Sequence, residues 1–495
     1  METYDLCIIG GGPSGYAAAM RALDFGKKVV LIEKDKVGGA GIYNGALTSK
    51  TMWELSMKYH TVKNELEDND GRDFEISFKD LMKTVSSAVF ERKFQLACHV
   101  KLLQSDVEEK LFTYERGTGE LISAHEVLIR KKNENKTIRA ENIILAAGST
   151  PRRLPGISID EKNIVTSDGI FSWKEFPASL VILGAGVIGC EFATIFSNLG
   201  RTKVYLIDKA DRILPFEDED LAGVVSSNFE RNGATIHKNS KLERMELKDG
   251  KVEYELSYKD GRREVIRVDK ALISVGRVPN IKGLGLEAAG VKTLPGGHIA
   301  DEDTQTNIPH IYATGDLTAH ISLVNVGELQ GRYAVERIFG KPARRLTYEN
   351  ISSIMFLNPE AAAVGLNEQQ AIQKGIPFRV VKLDYSCLAR AIAMRKTQGF
   401  FKIIVSDDDE MKLLGMRALG EHASSAIQAV ALLISMGKGI DELADLIHPH
   451  PSIIEGVQEC VRMLRGKSIF KPAVFKDKMR CYRYAEGKYT PLFHL

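Results

Sequence analysis

The first apolar run of the chain, residues 4–9, is short, almost continuous and directly followed by glycines. Such a run is typical of a parallel β-strand that is covered on both faces. An alanine-rich stretch then predicts a helix to about Phe25, and residues 28–33 predict a second strand. The start of the chain is therefore predicted to form a βαβ unit.

The same order of elements occurs a second time. Residues 180–183 predict a strand, a glycine turn and a helix to about Leu199 follow, and residues 203–208 predict the returning strand. The two turns begin at Gly10 and Gly184, which are 174 positions apart. This spacing indicates a large internal duplication rather than a short repeat.

The remaining segments give weaker patterns. Asp249-Gly250 and Asp260-Gly261 lie between β-rich runs and predict hairpin turns. The acidic segment 65–75 predicts a solvated loop between helices. Mixed strands and helices from about residue 351 predict a third domain, and the basic tail 471–495 predicts a solvated arm.

Composition excludes several classes of protein. A chain of 495 residues is too long for one hydrophobic core. Its net charge of +2 argues against a whole-protein field for nucleic acid, and no apolar run is long enough to predict a membrane span. The six cysteines are scattered, with no metal-ligand spacing, and they suit a reducing compartment, so we expect a cytoplasmic protein without a metal site.

Each glycine turn has the spacing that binds a dinucleotide. The first glycine permits the tight turn, the second lets the backbone approach a diphosphate, and the third packs helix against strand. A single turn of this kind is a weak signal, but two turns placed between strands form a strong one. The predicted cofactor-binding glycines are Gly10, Gly12, Gly15, Gly184, Gly186 and Gly189.

An acidic residue follows each turn at the distance that suits a bond to the adenosine ribose. These residues are Glu33 and Asp208, 18 and 19 positions after the last glycine of their turns. A carboxylate at this position repels the extra phosphate of NADP, so NAD is favoured. Lys209 and Arg212 could offset that repulsion, which leaves NADP possible.

Four further segments carry a family resemblance: residues 143–151, 274–280, 311–316 and 358–366. In this order they resemble signatures of the pyridine nucleotide–disulfide oxidoreductases, which include dihydrolipoamide dehydrogenase, glutathione reductase and the soluble transhydrogenase. The resemblance implies an α/β fold with two doubly wound Rossmann-like nucleotide-binding domains and a C-terminal α+β dimerisation domain. It also implies FAD, NAD(H) and a homodimer.

The implied domains are residues 1–153 and 281–350 for FAD, 154–280 for NAD, and 351–470 for dimerisation, followed by the 471–495 tail. Within them, Lys50 matches the family lysine beside the flavin, and Glu191 matches the family glutamate near the nicotinamide. Asp316 matches the family residue that bonds to the ribityl chain of FAD. The simpler alternatives are a surface lysine for Lys50, an acid at a helix N-terminus for Glu191 and a capped turn for Asp316. Further cofactor contacts are expected at Gly39, Ala147, Gly148 and Gly276. The segment 104–107 departs from the family, which commonly has a glycine and a small residue there beside the FAD adenine.

The main departure from the family is the absence of its two redox cysteines. Family members with a redox disulfide carry two cysteines five positions apart after the Gly-Gly pair, and the corresponding residues here are Gly41 and Ala46. Neither can form a thiolate or a mixed disulfide. Thiol substrates are therefore disfavoured, and a small-molecule acceptor such as a quinone is expected.

Residues His450 and Glu455 resemble the family pair that serves as base for the thiols of the neighbouring subunit. Two interpretations stay open: proton transfer to another acceptor, or packing at a dimer contact. For the whole protein we weigh three functions. They are an NADH oxidoreductase of diaphorase or quinone-reductase type, a soluble transhydrogenase, and a flavoprotein scaffold or electron relay within a complex.

Overall fold

The computed structural model describes residues 1–69, 75–105 and 110–492, with backbone alone for residues 65–69. The first segment of the chain builds most of one sheet and its covering helices. Its strands are β1 (Glu2–Ile9), β2 (Val29–Glu33), β3 (Phe112–Arg116), β4 (Thr118–Leu121), β5 (Glu126–Arg130), β6 (Asn135–Leu145) and β7 (Ser149–Pro151). Its helices are α1 (Pro13–Leu23), α2 (Gly39–Ile42), α3 (Ala46–Asn69) and α4 (Phe78–Gln104).

The second segment builds a separate parallel sheet and an antiparallel cover. Its strands are β8 (Ile164–Thr166), β9 (Ser179–Leu183), β10 (Lys203–Ile207), β11 (Thr235–His237), β12 (Ser240–Lys248), β13 (Lys251–Tyr258), β14 (Arg263–Val268), β15 (Lys270–Ile273) and β16 (Arg277–Pro279). Its helices are α5 (Val187–Leu199) and α6 (Glu219–Arg231).

The chain then returns to the first sheet before it forms the last domain. The return consists of β17 (Ile311–Ala313) and α7 (Val324–Phe339). The last strands are β18 (Ser353–Met355), β19 (Ala361–Gly365), β20 (Phe378–Asp384), β21 (Phe400–Ser406), β22 (Leu413–Leu419), β23 (Met479–Ala485) and β24 (Lys488–Pro491). The last helices are α8 (Glu368–Gln373), α9 (Ala389–Ala393), α10 (Ala423–Ala426), α11 (Gln428–Ser435), α12 (Asp441–Ala444) and α13 (Glu455–Leu464).

The first and third segments form one unit, which we call the first nucleotide unit. Its sheet has the order β3-β2-β1-β6-β5-β4, and β17 pairs in parallel with β6. Helices α1 and α7 pack together on one face, and the fully buried Leu6, Ile8 and Leu31 lie beneath them. Strands β1 and β2 are the largely buried apolar strands that the sequence predicts, and β6 is buried over its last three residues.

The second nucleotide unit has the parallel order β11-β10-β9-β15-β8, with the sheet β12-β13-β14 against one face. The short pair β7–β16 joins the two units. The last domain is a seven-stranded antiparallel sheet in the order β18-β19-β22-β21-β20-β23-β24, packed against α10 to α13. The predicted fold class is confirmed, while the exact domain boundaries stay predictions.

Both predicted hairpin turns are confirmed. The strands β12 and β13 pair up to Lys248 and Lys251, and Asp249 and Gly250 between them have φ of 50° and 77°. These left-handed angles are those of the tight turn that matches the twist of a hairpin. Residues Asp260 and Gly261 lie in the turn between β13 and β14.

Two predictions about loops were wrong. Helix α3 continues to Asn69, so residues 65–69 are helical rather than part of a loop, and residues 70–74 lie outside the described residues. The tail is not a solvated arm, because β23 pairs with β20 and β24 pairs with β23. Residues Met479 and Cys481 carry the tail into the core at 2% and 5% exposure. Of the charged residues that suggested a solvated arm, Arg480, Arg483 and Lys488 lie in these strands and are exposed.

A buried ionic cluster fastens the second nucleotide unit to the last domain. Lys402 of β21 is 4% exposed and contacts Asp218, Asp220 and Glu368 at 3.3, 2.8 and 2.5 Å. Nearby, Arg417 of β22 contacts the buried Glu217 at 2.6 Å. Burial raises the pKa of Asp218, and the Lys402 ammonium opposes that rise. The cluster is stable only while its charges remain paired.

Substitution Lys402→Met should therefore destabilise the fold by about 3–5 kcal/mol, because it leaves buried carboxylates without their cation. Chemical denaturation monitored by circular dichroism measures this change. The matched control is Lys412→Met, since Lys412 is exposed and, among the described residues, its ammonium pairs with the exposed Glu410. Equal stability of the two variants would show that the cluster does not hold the domains together.

Candidate functional site: two dinucleotide turns and a lysine–glutamate contact

The first glycine turn has the geometry of a diphosphate cradle. Gly10 has φ of 111°, and a Cβ atom there would lie 2.3 Å from the Ala146 carbonyl oxygen. A Cβ atom on Gly15 would lie 1.9 Å from the Gly10 carbonyl oxygen, whereas one on Gly12 would have no heavy atom within 4 Å. Gly12 therefore faces open space at the N-terminus of α1, where backbone N–H groups favour an anion.

The second turn repeats this geometry. Gly184 has φ of 103° with Ser274 against it, and a Cβ atom on Gly189 would lie 1.9 Å from the Gly184 carbonyl oxygen. Again the middle glycine, Gly186, faces open space at the start of α5. The residues present thus fit two bound dinucleotides, one in each unit.

Each of the two acidic residues accepts a hydrogen bond from the backbone of its own glycine turn. Glu33 at the end of β2 accepts a hydrogen bond from the Gly11 N–H at 2.7 Å, and Asp208 after β10 accepts one from the Ala185 N–H at 2.8 Å. Each carboxylate has further lone pairs for ribose hydroxyls. Arg212 donates to the Pro215 and Glu217 carbonyl oxygens, so it is engaged away from the ribose position.

The contact between Lys50 and Glu191 joins the two units. Lys50 on α3 donates to Glu191 on α5 over 2.8 Å, and Glu191 is only 4% exposed. The last domain completes the pair, because the Phe356 N–H donates to Glu191 and its ring lies 4.7 Å from the Lys50 Nζ. Phe356 carried no sequence signal, since only folding brings it here.

A second network surrounds Asp316. The Ser149 hydroxyl donates to Asp316 over 2.5 Å, and the Arg277 Nε donates to the same hydroxyl over 2.7 Å. Sequence reasoning singled out Asp316 but missed Ser149 and Arg277, although both lie within signature segments. The bond of Asp316 to a ribityl chain stays a prediction.

The other predicted contact residues lie on loops around these turns. A Cβ atom on Gly39 would lie 3.2 Å from Gly12 Cα, which places Gly39 over the first turn. Gly148 and Gly276 have φ of 67° and 101°, and the Ala147 carbonyl accepts from Asn280. In the segment 104–107, Gln104 donates to the Tyr114 carbonyl oxygen at 3.4 Å, while residues 106 and 107 lie outside the described residues.

His450 and Glu455 are paired but stand apart from this site within one chain. The His450 Nδ1 lies 2.7 Å from the Glu455 carboxylate, and the His450 side chain is 71% exposed. Burial acts to raise the pKa of Glu455, but hydrogen bonds from the Ser452 N–H and His450 hold it below its usual value. Glu455 is therefore ionised at neutral pH and orients the imidazole, which leaves Nε2 free.

The positions that matter for sulfur chemistry lie between these groups. Gly41 is part of α2, and a Cβ atom there would lie 3.0 Å from Pro13 Cγ and 3.9 Å from Val324 Cγ2. Ala46 begins α3, one helical turn before Lys50. All six cysteines are free and lie elsewhere in the fold.

Such a site, with two dinucleotide turns joined by a lysine–glutamate pair, is that of a flavin- and nicotinamide-dependent oxidoreductase. The chain belongs to the pyridine nucleotide-disulphide oxidoreductase family, which matches residues 4–331, with the family's dimerisation domain at residues 351–461. FAD and NAD(P)H are the cofactors of this family, and the dimerisation domain supports a homodimer.

Curated relatives cover nearly the whole chain. It is 32% identical over 478 residues to a mitochondrial dihydrolipoyl dehydrogenase of Schizosaccharomyces pombe, covering 94% of this chain and 91% of the relative. It is 31% identical to the leghemoglobin reductase of Glycine max, covering 92% of this chain and 86% of the relative. These matches extend across all the domains described above.

Solved structures agree. LpdA from Mycobacterium tuberculosis has a TM-score of 0.84 at 26% identity, covering 94% of this chain and all of that one. The flavoprotein disulfide reductase RclA from Escherichia coli, as its Cu(II) complex, has a TM-score of 0.83 at 26% identity with the same coverage. In the described part of this chain, no helix has the length and apolar character needed to cross a bilayer. Nor do the described residues group three or more His, Cys, Asp or Glu side chains that could hold a metal ion.

Substitution Gly12→Ala should leave the apoprotein folded and weaken FAD binding by about tenfold or more, which corresponds to ~1.4 kcal/mol. The new methyl group has room and an allowed backbone angle, φ −69°, but it fills the space that the diphosphate needs. Flavin absorbance of the purified protein and its melting temperature measure the two effects. Gly15→Ala is the contrast, because its methyl group meets the Gly10 carbonyl and should destabilise the fold. Normal flavin content in Gly12→Ala would contradict the assignment of the cradle.

Proposed function

We propose that this protein is an FAD-dependent NADH oxidoreductase that passes electrons to a non-thiol acceptor, such as a quinone or a dye, without a redox disulfide. The proposal rests on the combination, at one site, of a retained lysine–glutamate contact and two missing cysteines. The Lys50–Glu191 contact is present at 2.8 Å, whereas the two positions expected to hold the disulfide are Gly41 and Ala46. The nicotinamide half of the family's reaction keeps its residues, whereas the thiol half keeps His450 and Glu455 but lacks both cysteines.

Five of the six cysteines are poorly suited to supply the missing thiolates. Burial raises the pKa of four thiols, to about 12 for Cys481 and well above the usual value for Cys7, Cys190 and Cys460. Burial also raises the pKa of the half-buried Cys387. Since the thiolate is the reactive form, these five residues are poor nucleophiles.

Bound FAD would supply hydride acceptance from reduced nicotinamide and electron delivery to the acceptor. The chain's own residues provide orientation and charge. Lys50 holds a positive charge that Glu191 and the Phe356 ring keep in one place, which costs no rearrangement during the reaction. Asp208 favours NADH over NADPH, and the Arg212 guanidinium is held by the Pro215 and Glu217 carbonyl oxygens.

The surroundings of Gly41 support a flat apolar acceptor. The side chains that a Cβ atom at this position would contact, Pro13 and Val324, are both apolar. Val324 and the neighbouring Ile321 are 42% and 43% exposed in the single chain. A glycine here exposes an apolar surface in place of a sulfur atom. His450 of a second subunit would hold a proton at Nε2 for a reduced quinone.

The relatives' names point in two directions. Most are called dihydrolipoyl dehydrogenases, and by that name they act on a dithiol. This chain lacks the cysteine pair that would react with such a substrate. The Glycine max relative is named for the reduction of leghemoglobin, which is not a dithiol. The family therefore includes a protein named for a non-thiol acceptor, which supports the proposal.

An acceptor panel tests the function directly. Purified, flavin-loaded protein with NADH should reduce quinones and dyes, and rapid mixing should show flavin reoxidation by a quinone faster than by oxygen. With NADPH the rates should be lower, and NADP should be a poor acceptor, which argues against a transhydrogenase. Lipoamide turnover comparable to that of a dithiol enzyme, or failure of every acceptor to exceed oxygen, would overturn the proposal.

Substitution Lys50→Met should slow flavin reduction by NADH about 10²-fold, because it removes a fixed positive charge while keeping a chain of similar length over Phe356. Stopped-flow absorbance measures the rate, and flavin content shows whether binding is intact. The control is Lys58→Met, since Lys58 is an exposed residue of the same helix. An unchanged reduction rate in Lys50→Met would remove Lys50 from the reaction.

A further inference from the structure

Two adjoining cavities lie far from the glycine turns, where the second nucleotide unit, the last domain and the C-terminal strands meet. Their volumes are about 650 and 330 Å³, and they share Asp220, Lys382 and Arg480 in their walls. We call them together the junction groove. Helix α6 forms one wall, and residues 477–489 of the C-terminal strands form another. The family's dimerisation domain match ends at residue 461, so this wall lies beyond it.

Five cationic and four anionic side chains line the junction groove. Three of the four acids already have partners. Asp220 contacts Lys382 and Lys402 at 2.8 Å each, and Glu368 contacts Lys402. Asp384 accepts from Ser386 and lies 3.7 Å from the Lys478 ammonium. The fourth acid, Asp477, is exposed.

Two arginines in the groove are available to a ligand. The side chains of Arg231, at the end of α6, and of Arg480, in β23, have neither a hydrogen bond nor an ion pair with any residue that the structure describes. Arg480 borders both cavities, and both arginines border the larger one. A free guanidinium presents a planar set of donors that fits a phosphate with two parallel hydrogen bonds.

The rest of the larger cavity suits a polar, hydroxylated molecule. Ser227, Thr397 and Gln398 contribute hydroxyl and amide groups, and the Phe400 ring adds one apolar face beneath Lys382. Its volume lies within the usual range for small-molecule sites. The lining therefore combines free cationic donors with neutral hydrogen-bonding groups.

We propose that the junction groove binds a small phosphorylated metabolite, whose phosphate contacts Arg480 and whose polar body reaches Arg231. The site is separate from both dinucleotide cradles, because neither glycine turn contributes to its walls. Its two arginines belong to different parts of the fold. A ligand that contacts both fastens α6 to β23 and raises the melting temperature of the protein.

The experiment uses FAD-loaded protein with NAD⁺ added to fill the second cradle. Ribose 5-phosphate and pyrophosphate are the phosphate probes, and citrate at equal ionic strength is the phosphate-free anion. Calorimetric titration should show binding of a phosphate probe, together with a rise in melting temperature. Citrate should bind at least tenfold more weakly.

The variants locate the binding. Arg480→Gln and Arg231→Gln should each weaken binding of the phosphate probe at least tenfold while flavin content and NADH oxidation stay unchanged. The matched control is Lys476→Gln, which removes one charge from the same C-terminal segment outside the groove walls. Binding that is equal in all variants, binding of citrate as tight as of phosphate, or no binding of either phosphate probe would each overturn the proposal. None of these results bears on electron transfer, so they leave the proposed function to its own test.

Discussion

Contact between Lys50 and Glu191 is possible only if the two nucleotide units keep one relative orientation. The two residues lie on helices of different units, and Glu191 is buried. A relative displacement of about 1 Å would break a hydrogen bond of 2.8 Å and leave a buried carboxylate without its cation. Much of the remaining structure can be understood as the means of holding that orientation.

The last domain contributes most of this support. The Leu357 carbonyl oxygen accepts from the Trp53 ring N–H at 3.0 Å, and the Asn358 amide donates to Asn198 at 2.9 Å. Trp53 belongs to α3 and Asn198 to α5, so one short segment before β19 contacts both helices. The ionic cluster around Lys402 adds a second attachment at the other end of the second nucleotide unit. A dimerisation domain thus also fixes the geometry within its own chain.

The sequence was most informative where a local pattern is tied to one chemical purpose. The two glycine turns, the acids Glu33 and Asp208, and the hairpin turns could be predicted because neighbouring residues alone determine those conformations. Lys50 and Glu191 were reached through a family resemblance, and only the structure shows their contact. Phe356, Ser149 and Arg277 were missed as partners, because folding rather than sequence spacing brings them to the site.

The error over the C-terminal tail has a similar origin. Composition suggested a solvated arm, since the tail is rich in lysine and arginine. Alternation was the better signal: Met479 and Cys481 point inward while Arg480 points outward, as the period of two in a strand requires. This short alternation was obscured by the charge of the whole segment.

The C-terminal strands β23 and β24 also determine which strand forms the solvent-exposed edge of the last sheet. Without β23, the apolar strand β20 would form the margin of the sheet and would present unpaired backbone groups, a template on which another chain can add a strand. Among the described residues, the strand at the margin is β24, which is short, consists of exposed residues and is bounded by Lys488 and Pro491. A lysine and a proline at a sheet margin discourage such pairing. Strands β23 and β24 thereby protect the protein against self-association through its largest antiparallel sheet.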